Sequence, residues 1–116
     1  MKSCKIKVIK RNFDQKLVND YLSDRYKNSG FGPCELFEDN EEFIVTDPNS
    51  MPEGFCAWAW SDIQKDLVAI MSGGNFNWMR HKGTALTCCS DGFRPVVFLI
   101  EIIENSEEKI CLNYSK

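Results

Sequence analysis

Six cysteines in 116 residues are the first feature able to support chemistry. They are Cys4, Cys34, Cys56, Cys88, Cys89 and Cys111. Thiolates are soft ligands for zinc, copper(I) and iron–sulfur clusters, and they are also nucleophiles. No two of them have C-x-x-C spacing, so neither a sequence-local zinc knuckle nor a thioredoxin-type pair is present. A metal or thiol site would have to be assembled by the fold, from Cys4, Cys34, Cys56, Cys88 and Cys89. The competing reading is packing, because free cysteine is among the most buried residue types. Cys56 is distinctive because it falls just before a tryptophan-rich helix. A helix N-terminus favours the thiolate through its dipole and its unpaired N–H groups. Cys88 and Cys89 are neighbours on a strand and must point to opposite faces, so only one of them can reach any given site.

Aromatic residues are the second concentration. Phe55, Trp58, Trp60, Phe76 and Trp78 offer either a stacking surface for a planar ligand or a core of large side chains. Trp60 falls in the buried stripe of its helix and is assigned to the core. Trp58 lies off that stripe and, with Phe76 and Trp78, is a candidate pocket wall. Arg94 and Asp91 complete the ligand-binding candidates. Arg94 could clamp a carboxylate or phosphate in a bidentate manner. Alternatively, the two residues pair and pin a turn. His81 is the only histidine and sits among Arg80, Lys82 and Gly83 in a loop, with no spacing that suggests a triad. Gly73-Gly74 ends a helix, whereas phosphate loops begin one.

These residues need elements to position them. Residues 4–10 alternate, with Cys4, Ile6 and Val8 on one side and Lys5 and Lys7 on the other, as in a half-buried strand. Asp14 caps a helix beginning near Gln15. Residues 23–33, with Asn28-Ser29-Gly30 and Gly32-Pro33, read as a loop. Glu42–Thr46 reads as a strand. The best helix runs from Ala57 to Met71, with Trp60, Ile63, Leu67, Val68, Ile70 and Met71 in one stripe and Gly73-Gly74 as its C-cap. Residues 75–79 form at most one helical turn. Thr84–Cys89 and Pro95–Ile103 read as strands. The second is apolar on both faces and so belongs in the middle of the sheet. Lys109–Tyr114 reads as a returning edge strand. Helices and strands mix without βαβα alternation. The expected architecture is therefore α+β: a mainly antiparallel sheet with one long and one shorter helix packed on it.

The chain resembles a family of small uncharacterised proteins of bacteria and archaea, many of them anaerobes. The resemblance rests on Lys2-Ser3-Cys4-Lys5-Ile6, Gly32-Pro33-Cys34, Pro52-Glu53-Gly54-Phe55-Cys56-Ala57-Trp58-Ala59-Trp60, Met71-Ser72-Gly73-Gly74 and Thr87-Cys88-Cys89-Ser90-Asp91-Gly92-Phe93-Arg94-Pro95-Val96-Val97-Phe98. It implies a single domain over residues 1–116, with an insertion at 23–33 and a C-terminal extension at 105–116. It brings no established activity.

Composition narrows the rest. At 43% hydrophobic and 27% charged, the chain is an ordinary globular one. A net charge of −3 argues against a nucleic-acid partner. No apolar run is long enough for a membrane span. The N-terminus lacks the apolar segment of an export signal, so the cytoplasm is the expected compartment and disulfides are not expected there. A homo-oligomer through the apolar C-terminal strand is an open alternative. No cofactor can be named. Three functions remain: a non-catalytic binding or accessory domain with a small aromatic-lined pocket, a cysteine-ligated metal or iron–sulfur protein, and a thiol-dependent redox enzyme using Cys56.

Overall fold

The computed structural model describes residues 1–103. Seven elements follow one another: β1 (Cys4–Arg11), α1 (Gln15–Tyr21), α2 (Asp24–Lys27), β2 (Glu42–Val45), α3 (Ala57–Met71), β3 (Thr84–Cys88) and β4 (Val96–Ile102). The strands form one antiparallel sheet in the order β2-β1-β4-β3. The fold is α+β, as the mixed pattern of the sequence implies. The edge strand read at 109–114 and the extension at 105–116 lie outside the described residues.

Period-2 alternation decides which side chains meet α3. Cys4, Ile6 and Val8 of β1, Phe43 and Val45 of β2, Ala85 of β3 and Val96, Phe98 and Ile100 of β4 are buried on one face. Against them α3 sets Ala59, Ile63, Leu67, Ile70 and Met71. The opposite sheet face carries Lys5, Lys7 and Glu101 among the partly exposed Ile44, Leu86 and Leu99. β4 lies between β1 and β3, the central position its continuous apolar run requires.

An aromatic cluster closes the core at the N-terminal end of α3. Phe37, Phe55 and Phe98 meet at centroid distances of 5.0–5.5 Å, and Phe43 packs on Phe55 at 4.8 Å. Most of these contacts are edge-to-face, the geometry favoured by the ring quadrupole. Trp60 joins this cluster through Phe55 at 5.7 Å, which agrees with its assignment to the core.

The helix ends follow their sequence signals. The Asp14 side chain accepts from Leu17 N at 3.0 Å, capping α1. At the end of α3, Gly73 N donates to Ile70 O and Gly74 N to Ala69 O at 2.9 Å, with Gly73 at φ +90°. This is a Schellman closure, and it needs glycine at the left-handed position.

Three expectations are corrected. Residues 24–27 are not loop but one helical turn, α2, with Asp24 in its first turn and Arg25 and Lys27 in its last. Val68 is exposed rather than part of the buried stripe, and Ala59 takes its place. Five residues beyond Ile63, Val68 is rotated about 140° round the helix from the centre of that stripe. β1 also carries a bulge, with its register shifting between Val8 and Lys10.

Candidate functional site

One cavity of about 420 Å³ opens where three segments meet: the loop before β2, the N-terminal turns of α3, and the connection from β3 to β4. The first contributes Cys34, Leu36 and Phe37; the second contributes Cys56, Trp58, Ala59 and Asp62; the third contributes Cys89, Ser90, Asp91, Arg94 and Val96. Its size is within the range of small-molecule sites.

Each wall is held by identifiable bonds. Phe55, buried in the aromatic cluster, anchors the chain just before α3 and places Cys56 at the N-cap. Cys56 O accepts from Trp60 N at 2.9 Å, but no side chain caps this helix, so its first-turn amides lack a capping acceptor. Trp58, in the first turn, is 84% exposed at the rim.

The β3–β4 connection is tied to α3 by Asp62. Its Oδ2 accepts from Ser90 N at 2.8 Å and from Ser90 Oγ at 2.9 Å. Asp91 shapes the same connection, with Oδ1 accepting from Phe93 N and Arg94 N. Cys89 Sγ accepts from Val96 N at 3.3 Å, where β4 begins.

Arg94 bridges to the loop before β2. Its guanidinium lies 4.3 Å from the Phe31 ring centroid, a cation–π contact, and Nη1 donates to Gly32 O at 3.5 Å. Nε faces Asp91 Oδ2 at 3.4 Å. Arg94 thus makes the turn-pinning pair with Asp91 and still borders the cavity. The loop carrying Cys34 is fixed from β1, because Arg11 Nη1 donates to Cys34 O at 2.8 Å. Arg11 also binds Asp39 at 3.0 Å, and this hydrogen bond holds the Asp39 carboxyl below its usual range.

The sequence-derived candidates therefore divide. Cys34, Cys56, Cys89, Trp58, Asp91 and Arg94 converge on the cavity. Phe76 and Trp78 do not line it. They stack on each other at 4.8 Å in the turn beyond the far end of α3, roughly 20 Å along a helix of this length, and Trp78 is 72% exposed. Cys88 is exposed, on the opposite sheet face from Cys89 by strand alternation. Cys4 is buried in the core, and burial pushes its thiol up to about 11.

That shift has a consequence for stability. The Cys4 thiol titrates near 9.0 when unfolded and about 11 when folded. A raised folded value stabilises the protein fully below about pH 9, and the contribution is lost as pH rises toward 11. Urea melts between about pH 8 and pH 11 should show this alkaline loss in the native protein and a shallower one in Cys4→Ala.

Among the described residues, no three His, Cys, Asp or Glu side chains form a group that could hold a metal ion. The three converging thiols border a cavity rather than a ligand cage. A second hollow, lined by Met1, Lys2, Met71, Ser72 and Gly73, is more open and carries no thiol.

Asp62, Phe31 and Leu36 carry no sequence signal that marks them as site residues. Asp62 sits on the wet side of its helix, and its partner lies 28 residues away. Nothing in the local pattern separates it from Asp66.

No family model, curated protein or solved structure matches this chain. What the fold and the cavity define is a small α+β domain in which thiols, an arginine and a tryptophan from distant segments share one cleft. No helix among the described residues is long and apolar enough to cross a membrane.

Proposed function

We propose that this chain is a small-ligand-binding domain and that its ligand occupies the cavity at the N-terminal end of α3. One observation carries the reading: three segments distant in sequence bring apolar surface, polar groups of both signs and three cysteines to a single cleft. Trp58, Leu36, Phe37 and Val96 suit an apolar or flat portion of a ligand. Arg94 suits an anionic group, and Asp62 suits a donor. The absence of any acid–base or triad spacing in the sequence favours binding over hydrolytic catalysis.

Gly32-Pro33-Cys34, the run from Pro52 to Trp60 and the run from Thr87 to Phe98 supply most of the cavity wall.

The test uses 8-anilinonaphthalene-1-sulfonate, a flat apolar body with one anionic group. The native protein is expected to bind it saturably at one site. Trp58→Ala should weaken binding about threefold to tenfold, as for the loss of one aromatic contact. Trp78→Ala should leave it unchanged. Equal losses from both variants, or no saturable binding, would overturn the reading.

A further inference from the structure

The cavity brings together three kinds of group that its use as a plain binding cleft leaves unexplained. Three of the five described cysteines reach it, each from a different segment, and all are free thiols. Beside them lie a cation, Arg94, and two carboxylates, Asp62 and Asp91. Cys34, Cys56 and Cys89 each pack against the core on one side. Cys34, Cys56 and Cys89 are only partly buried and line open space, unlike the core residue Cys4. Nor do the thiols form a metal-binding group.

We propose that the cavity takes small zwitterionic disulfides, those of amino-acid thiols, and exchanges with them through Cys56. The proposal rests on the binding reading above and assigns its ligand class. The three kinds of group match the three parts of such a molecule. Arg94 meets the carboxylate, Asp62 meets the ammonium through the oxygen that Ser90 leaves free, and the thiols meet the disulfide bond.

Cys56 is the attacking residue because it alone of the pocket thiols stands at the N-terminus of a 15-residue helix, beside first-turn amides that no side chain caps. Its thiolate attacks one ligand sulfur. A Cys56–S–S–R bond forms, the R–S–S–R bond breaks, and the departing thiolate takes up the proton lost by Cys56. A second pocket thiol, Cys34 or Cys89, then attacks the Cys56 sulfur and releases the other half as a thiol. The ligand disulfide is reduced to two thiols, and one protein disulfide replaces two protein thiols.

The experiment treats the reduced full chain with cystine in the absence of oxygen and maps every cysteine by peptide mass spectrometry. Modification is expected first at Cys56, followed by a disulfide joining it to Cys34 or Cys89, with two cysteines released per chain. The exposed Cys88 should react at least tenfold more slowly. The neutral 2-hydroxyethyl disulfide should lose this preference for the pocket. In a Cys34→Ser/Cys89→Ser variant the reaction should stop at the Cys56 mixed disulfide. Site mapping on the native chain does not depend on any variant folding. Reaction at Cys88 before Cys56, or equal rates with the two disulfides, would overturn the proposal. If 8-anilinonaphthalene-1-sulfonate still binds the cavity while cystine leaves Cys56 untouched, the exchange proposal fails and the binding reading stands. If neither occurs, both fail.

Discussion

Replacing Phe98 by alanine is expected to destabilise the protein by about 3–5 kcal/mol, the upper range for a single core truncation. Phe98 is fully buried at the centre of β4 and packs against Phe37 at 5.1 Å and Phe55 at 5.5 Å. Truncation removes the apolar transfer term and leaves a hole that the rigid rings around it fill poorly. A small domain holds only about 5–15 kcal/mol in total, so the variant should sit near its unfolding midpoint under mild conditions. Urea denaturation followed by circular dichroism measures this directly. Phe98→Leu keeps more of the volume and should cost clearly less. Phe37 also lines the cavity and Phe55 anchors Cys56, so the same variant should weaken probe binding before it unfolds.

The second large effect is expected at Gly83, where a side chain meets two obstacles. Its φ is +71°, and a Cβ there would come within 2.6 Å of Ile102 Cγ2 and 3.3 Å of Ile102 Cβ. Ile102 is β-branched and stands on the neighbouring β4, donating from its own N to Gly83 O at 2.8 Å, so it has little room to yield. The left-handed backbone costs a residue with a side chain about 1–2 kcal/mol, and overpacking adds about 1–3 kcal/mol. Gly83→Ala should therefore lose about 2–5 kcal/mol. Gly30 separates the two terms, because it shares a positive φ of +83° but a methyl group there would meet nothing within 4 Å. Gly30→Ala should show the backbone cost alone, about 1–2 kcal/mol. Equal losses in the two variants by thermal or urea melts would contradict this account of Gly83.

The elements were legible because each rests on a local rule. Alternation at Cys4, Ile6 and Val8, the cap at Asp14, the 3.6-residue stripe around Ile63 and Leu67, and the paired glycines after Met71 all act within a few residues. The central place of β4 was legible for the same reason, since an apolar run such as Val96 to Ile100 needs neighbours on both edges. The bulge near Ile9 was not, because it is imposed by pairing with β4. The helical turn at 24–27 was hidden behind the glycines and asparagine that follow it.

The site was legible only as a set of residue types. Cys34, Cys56, Cys89, Trp58, Asp91 and Arg94 drew attention for their chemistry, but their meeting depends on contacts spanning tens of residues, such as Arg11 to Cys34 and Asp62 to Ser90. Strand alternation did separate Cys88 from Cys89, and it did so from sequence alone. Phe76 and Trp78 share the aromatic character of Trp58, yet the length of α3 carries them to its other end. Residue type signals a capacity, and topology decides which capacities are combined.

The most direct test of the cavity as the functional site is a backbone amide NMR titration with 8-anilinonaphthalene-1-sulfonate. Shift changes are expected to concentrate at residues 34–37, 56–62 and 89–96, the three segments that wall the cleft. Changes concentrated at residues 75–80 around the stacked Phe76 and Trp78, with the three segments unmoved, would contradict the account.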